Sequence, residues 1–158
     1  MGALVAMAAV LTPAWIQLGR YDRHNAAEIA AQRRADATQG QELNRLIAVI
    51  EHDRGGRTYA GLPSNWGADF TVGAVPVFKY LESEDVDEVG YTLRTASLMT
   101  DPEYHFDEDN LADYRLFAIR YVIVPTGSRP PVPARELMRA GPYSLWTIAA
   151  DGYLQPGG

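Results

Sequence analysis

The sequence predicts an α/β domain: a small mixed β-sheet with flanking helices, preceded by an apolar N-terminal helix and a helical connector. An α+β arrangement is the variant left open. Three observations carry this. Helical and strand-like stretches alternate along 158 residues, a length that makes one domain. Tyr121-Val122-Ile123-Val124 is a continuous β-rich run closed by Pro125, the pattern of a central strand covered on both faces. Leu43, Leu46, Ile47 and Ile50 recur at helical spacing, the stripe of a helix packed on one side.

In chain order, Met1 to Gly19 contains no charged residue. It reads as the end of a transmembrane helix, marginal against the roughly 20 apolar residues a span needs. Trp15, Arg20, Tyr21 and Arg23 follow as interfacial residues. A secretory signal would place a basic residue before the apolar core, and none precedes Arg20. A buried core helix would show polar positions every third or fourth residue, and Met1 to Leu11 show none. Both remain rivals, and the two arginines mildly favour a cytoplasmic flank. Residues 20–37 form a solvated connector, since Asn25 to Asp36 is rich in Ala, Glu, Gln and Arg with little apolar face.

Residues 38–158 make the α/β domain. Thr38 with Gln41 resembles a capping box opening a new helix, which Gly55-Gly56 ends. Arg57 to Gly61 reads as a short strand followed by the loop 62–69. Val75 to Leu81 reads as a short helix with Pro76 in its first turn. Glu82 to Glu88 holds five acids in seven residues and is expected in solvent. Gly90 to Met99 is ambiguous between strand and irregular chain. Asn110, with Asp113 three residues on, caps a helix reaching about Phe117. Pro130 to Pro133 is a stiff linker, Ala134 to Arg139 a short helix, and Gly141-Pro142 a turn. Tyr143 to Ile148 then pairs with Tyr153-Leu154 in a terminal hairpin.

Charge and composition exclude several classes. Residues 1–57 carry seven Arg against six acids, whereas residues 58–158 carry seven Lys and Arg against fourteen acids. Such a surface repels phosphate backbones, so no nucleic-acid partner is expected. With no cysteine, disulfides, thiolate catalysis and Cys-based zinc sites are excluded. No Gly-rich phosphate loop, HExxH or GxSxG occurs, so no cofactor is expected and no catalytic residue can be named.

Two segments are candidate sites. Tyr59, Asn65, Trp66 and Asp69 combine an aromatic face with planar hydrogen-bonding groups among glycines, the mixture that holds a sugar's C–H faces and hydroxyls. A turn whose Trp plugs the core edge is the plainer alternative. Asp101, Glu103, His105, Asp107, Glu108 and Asp109 place acids beside a histidine, as for a hard cation or a general acid/base pair. They lack the EF-hand glycine and terminal bidentate Glu, and an acidic loop before a helix N-terminus explains them without a metal.

Leu116-Phe117-Ala118-Ile119-Arg120-Tyr121-Val122-Ile123-Val124, then Tyr143-Ser144-Leu145-Trp146, together with the apolar entry and Arg57-Thr58-Tyr59-Ala60, resemble a known pattern. It is that of the C-terminal extracytoplasmic region of bacterial polytopic membrane proteins, YfhO-like or related to the GT-C glycosyltransferases. Ala118-Ile119 replaces that pattern's Gly-Val, and Thr147 stands where an acid is common. The resemblance implies a domain on the outer face of the cell membrane, attached through residues 1–19 to the rest of a larger protein. It implies a lid or acceptor surface for a glycan or lipid-linked sugar, with catalysis elsewhere. No position matches the family's catalytic acid. The rival readings are a membrane-anchored, non-enzymatic interaction module and a soluble hydrolase using the 101–109 cluster.

Overall fold

A long helix opens the chain, and its far end is built into a sheet-based body. The structure, a computed structural model, describes residues 2–53, 55–90, 103 and 105–149, with side chains from Trp15 onward. Helix α1 (Gly2–Ala35) runs through a π-helical turn (Asp36–Gly40) straight into α2 (Gln41–Asp53). The capping box expected at Thr38 therefore does not form. With no helix start there is no free N–H to cap, and the Thr38 hydroxyl donates backward to the Arg34 carbonyl at 3.0 Å. The turn falls where the helix meets the body: a Cβ on Gly40 would come within 2.7 Å of the Tyr80 hydroxyl.

The body is mixed α/β. Strands β1 (Arg57–Tyr59), β4 (Glu88–Val89), β5 (Ile119–Pro125), β6 (Ala134–Ala140) and β7 (Tyr143–Ile148) form a five-stranded sheet ordered β4-β1-β5-β7-β6. The first three are parallel, and β7 runs antiparallel to both β5 and β6. Between β1 and β4 lie a small hairpin, β2 (Thr71–Val72) with β3 (Val75–Pro76), and helix α3 (Val77–Ser83). Helix α4 (Leu111–Leu116) precedes β5, and the Asn110 side chain accepts from the Ala112 N–H as its N-cap.

Both faces of the sheet are covered, which is why β5 reads as an unbroken apolar run. Tyr121 and Ile123 point to one face, where Leu43, Leu46, Ile47 and Ile50 of α2 meet Val77, Phe78 and Leu81 of α3. Val122 and Val124 point to the other, among Tyr59, Phe106, Tyr114, Trp146 and Ile148.

Several local readings change. Ala134 to Arg139 is not a helix but edge strand β6: pairing with β7 overrides good helix propensity, and the ladder carries a register shift between Glu136 and Met138. Its Arg139–Glu136 ion pair adds charge to the exposed edge, a device that discourages strand addition. Strand β7 has β5 and β6 on its two sides, so the terminal hairpin is β6–β7, and Tyr153-Leu154 lie outside the described residues. Pro76 ends β3 and sits just before α3 rather than inside it. The acidic run is in solvent except at its end, where Glu88 enters β4 and is mostly buried. Most of 90–99 also lies outside the described residues.

Among the described side chains, the body grips the long helix at its end. Gln32 donates to the Val72 carbonyl at 3.0 Å and accepts from the Ala74 N–H at 2.9 Å, so its amide pairs with the β2–β3 turn as a strand would. Gln39 accepts from the Gly73 N–H at 2.9 Å. Before Gln32, Trp15, Ile16, Leu18, Tyr21 and Ile29 are exposed. Among the described residues no helix is long and apolar enough to cross a membrane.

Candidate functional site

The segment leaving β1 is a tight, self-bonded loop. Gly61 adopts φ +86°, and a Cβ on Gly67 would come within 2.6 Å of Leu62 N, so both positions need glycine. Asn65 Oδ1 closes the loop by accepting from the N–H groups of Leu62 (2.7 Å) and Gly67 (3.1 Å). Its Nδ2 donates to the Tyr59 hydroxyl at 2.8 Å and to the Glu108 carboxylate. Tyr59 in turn donates to Glu108 at 2.9 Å. Burial, with Glu108 beside it, pushes the Tyr59 pKa far up and keeps the phenol protonated as that donor.

Of the four residues proposed for a ligand, then, two face inward. Tyr59 is fully buried, and Asn65 is occupied in bracing the loop. Trp66 and Asp69 come together on a cleft of about 410 Å³. Trp66 stands edge-on to Tyr59 with ring centroids 5.2 Å apart, and Asp69 is exposed. The opposite walls come from Pro125 at the end of β5, Pro142 and Tyr143 at the start of β7, and Gln39 of the π-helical turn. Phe70 and Thr71 complete the lining. Tyr143 donates its hydroxyl to the Thr71 carbonyl at 3.1 Å, and burial pushes its pKa up to about 12.

The location of this cleft follows from the topology. From β1 the chain passes by α3 to β4 on one flank, then by α4 to β5 on the opposite flank of β1. The chain leaves β1 toward β4 and leaves β5 toward β6 and β7, so connections diverge on either side of the β1–β5 gap. In open α/β sheets such a divergence at the carboxyl ends of parallel strands leaves a crevice that commonly holds ligands. The Trp66 loop leaves the carboxyl end of β1, and Pro125 is the carboxyl end of β5.

The 101–109 cluster is divided among three structural duties. Glu103 pairs with Arg57 at 2.8 Å, and Glu108 holds Tyr59 and Asn65. Asp107 Oδ1 accepts from the Asp109 N–H within its own turn at 3.0 Å. Asp101 lies outside the described residues, and among those described no group of three or more His, Asp and Glu is placed to hold a metal ion.

Sequence reasoning missed Gln39, Phe70, Thr71, Pro125, Pro142 and Tyr143 as companions of Trp66. Pro125 and Gly141-Pro142 were visible as punctuation, but only the strand order brings a strand end and a hairpin turn to one place. No family model, curated protein or solved structure matches this chain.

Proposed function

We propose that this chain is a water-facing, non-catalytic domain of a membrane-embedded glycosyltransferase-like protein, and that its cleft binds a glycan. The observation that carries this reading is the position of Trp66 and Asp69 on one cleft, at the carboxyl ends of β1 and β5. A sugar needs an apolar surface for its C–H face and polar groups for its hydroxyls. Trp66, Pro125 and Pro142 provide the first; Asp69, Thr71 and Gln39 provide the second. Because the Gln39 carbonyl oxygen accepts from Gly73, its NH2 end is oriented as a donor to hydroxyls. The hydrolase reading is weakened because Glu103 and Glu108 are engaged elsewhere.

Attachment to a membrane is supported by α1. At about 100° per residue, Trp15, Ile16, Leu18 and Tyr21 point to all sides of the helix, and all four are exposed. A protein partner covers one stripe; a lipid phase covers every side. Arg20 and Arg23 lie beside the aromatic pair, as at a headgroup layer.

Calorimetric titration with neutral oligosaccharides tests the glycan reading. Trp66→Ala is expected to weaken binding about fivefold, the effect of one lost aromatic stack of about 1 kcal/mol. Absence of saturable binding to the folded wild-type protein overturns it.

A further inference from the structure

The charges around the cleft discriminate among glycans. None of its lining residues is Lys, Arg or His, and its one ionisable acid is the exposed Asp69. Nucleotide sugars, lipid pyrophosphates and uronates bring anionic oxygens that require positively charged or multiple N–H partners. The surrounding sequence reinforces the exclusion, since residues 58–158 carry seven basic against fourteen acidic side chains.

The cleft supplies what an ammonium group requires. Among its aromatic residues, Trp66 is half-buried and meets a ligand beside the Asp69 carboxylate, while Phe70 and Tyr143 are buried behind it. The polar tips of two of them are turned away from a ligand. The Tyr143 hydroxyl is bound to the Thr71 carbonyl, and the Trp66 indole nitrogen lies against Gly61, where a Cβ would meet it at 2.8 Å. What remains is aromatic carbon next to one negative charge, a combination that attracts cations by ring quadrupole and by Coulomb force together.

We infer that the cleft selects a glycan bearing a free amine, a glucosamine-type unit, over N-acetylated or phosphorylated sugars, with Asp69 as the residue that reads the charge. The inference rests on the glycan reading above and narrows it: the site receives a cationic acceptor chain, not an activated phosphate-bearing donor.

The test titrates the full chain with the β-1,4 tetramers of glucosamine and of N-acetylglucosamine, and with glucose 1-phosphate. The glucosamine tetramer is expected to bind roughly three- to fivefold more tightly than its acetylated form, the size of one charge pair near a surface. Raising the salt concentration should shrink that preference. Asp69→Asn, a change at an exposed side chain, should abolish the preference, so that the glucosamine tetramer binds no more tightly than the acetylated one. Glu51→Gln, the same charge change at an exposed position on α2, should leave it intact. Equal affinity for the two tetramers overturns the amine preference while the glycan reading stands. So does tighter binding of the phosphate, or equal loss in Asp69→Asn and Glu51→Gln. No binding of any of the three by folded protein overturns both.

Discussion

Helix α2 and the stretch of α1 from Trp15 to Ala31 belong to one continuous helix, yet they relate to the rest of the chain in opposite ways. In α2, Leu43, Leu46, Ile47 and Ile50 are buried on a single stripe against the sheet. In α1, Trp15 is 69% exposed, Leu18 51% and Ile29 53%. The packed half owes its order to burial. The free half owes it to helix propensity, with Ala26, Ala27, Ala30 and Ala31 among Glu, Gln and Arg. Its local His24–Glu28 contact at 3.0 Å is exposed at both ends and adds little. The difference teaches that helical content alone says nothing about what a helix is for. A one-sided buried stripe identifies a helix that completes a core, whereas the apolar residues of α1 from Trp15 to Ile29 stay exposed.

The sharpest break of that comparison is a pair of identical deletions. Leu46→Ala removes a fully buried side chain and should cost about 2–5 kcal/mol, by lost transfer energy and the cavity left behind. Leu18→Ala, one half-exposed leucine on α1, should cost less than about 0.5 kcal/mol. Urea unfolding followed by tryptophan fluorescence reads both. Comparable losses would mean that α1 is packed within the folded unit.

A smaller effect separates the two regions by pH. Every side chain from Arg20 to Ala31 that ionises is exposed, whereas the body contains Glu88, mostly buried, with Oε2 bonded to no described residue. Burial first, then the Glu103 and Glu82 carboxylates, push its pKa from 4.5 up to about 8, against the opposing pull of Arg57. The folded state thus holds a proton that the unfolded chain releases. Stability from this group is complete below about pH 4.5 and declines as pH rises to about 8. Glu88→Gln should unfold like wild type at pH 4 and be more stable at pH 9, by on the order of 1–3 kcal/mol. Denaturation curves with the same pH dependence in both proteins would remove Glu88 as the source.

The same contrast explains what was legible in the sequence. The α2 stripe, β5 and the Asn110 cap were readable because each is a local pattern with one physical cause: periodicity, double burial, or an unsatisfied N–H. Strand β6 was misread because Ala134 to Arg139 has helical composition, and only its pairing with β7 makes it a strand. The Thr38 cap was misread because a capping box presumes a helix start, and the chain arrives there already helical. Two of the four candidate residues, Trp66 and Asp69, meet on the cleft. Trp66 and Asp69 belong to one short loop, while their companions come from β5, β7 and the π-helical turn, brought together by strand order that no local signal encodes. The Gln32 and Gln39 amides, which tie the helix to the β2–β3 turn, are invisible beforehand because Gln is common on any solvated helix.

The smallest expected effect on folding is the most informative about the free helix. Trp15→Ala removes the most exposed large apolar side chain among the described residues of α1, so the unfolding free energy should change by less than about 0.5 kcal/mol. If that side chain instead belongs at a bilayer interface, its removal must appear in a different measurement. Sedimentation with phosphatidylcholine–phosphatidylglycerol vesicles should show wild-type protein partitioning into the pellet and Trp15→Ala partitioning less, because an indole at the headgroup layer buries apolar surface that alanine cannot. Lipid-bound protein should keep its affinity for glycan, since Trp15 precedes the cleft residue Gln39 by seven helical turns at roughly 3.6 residues each. Loss of vesicle binding with an unchanged midpoint would separate the two halves of the helix by function as cleanly as burial separates them by structure. A shifted midpoint with unchanged vesicle binding would reverse their assignment.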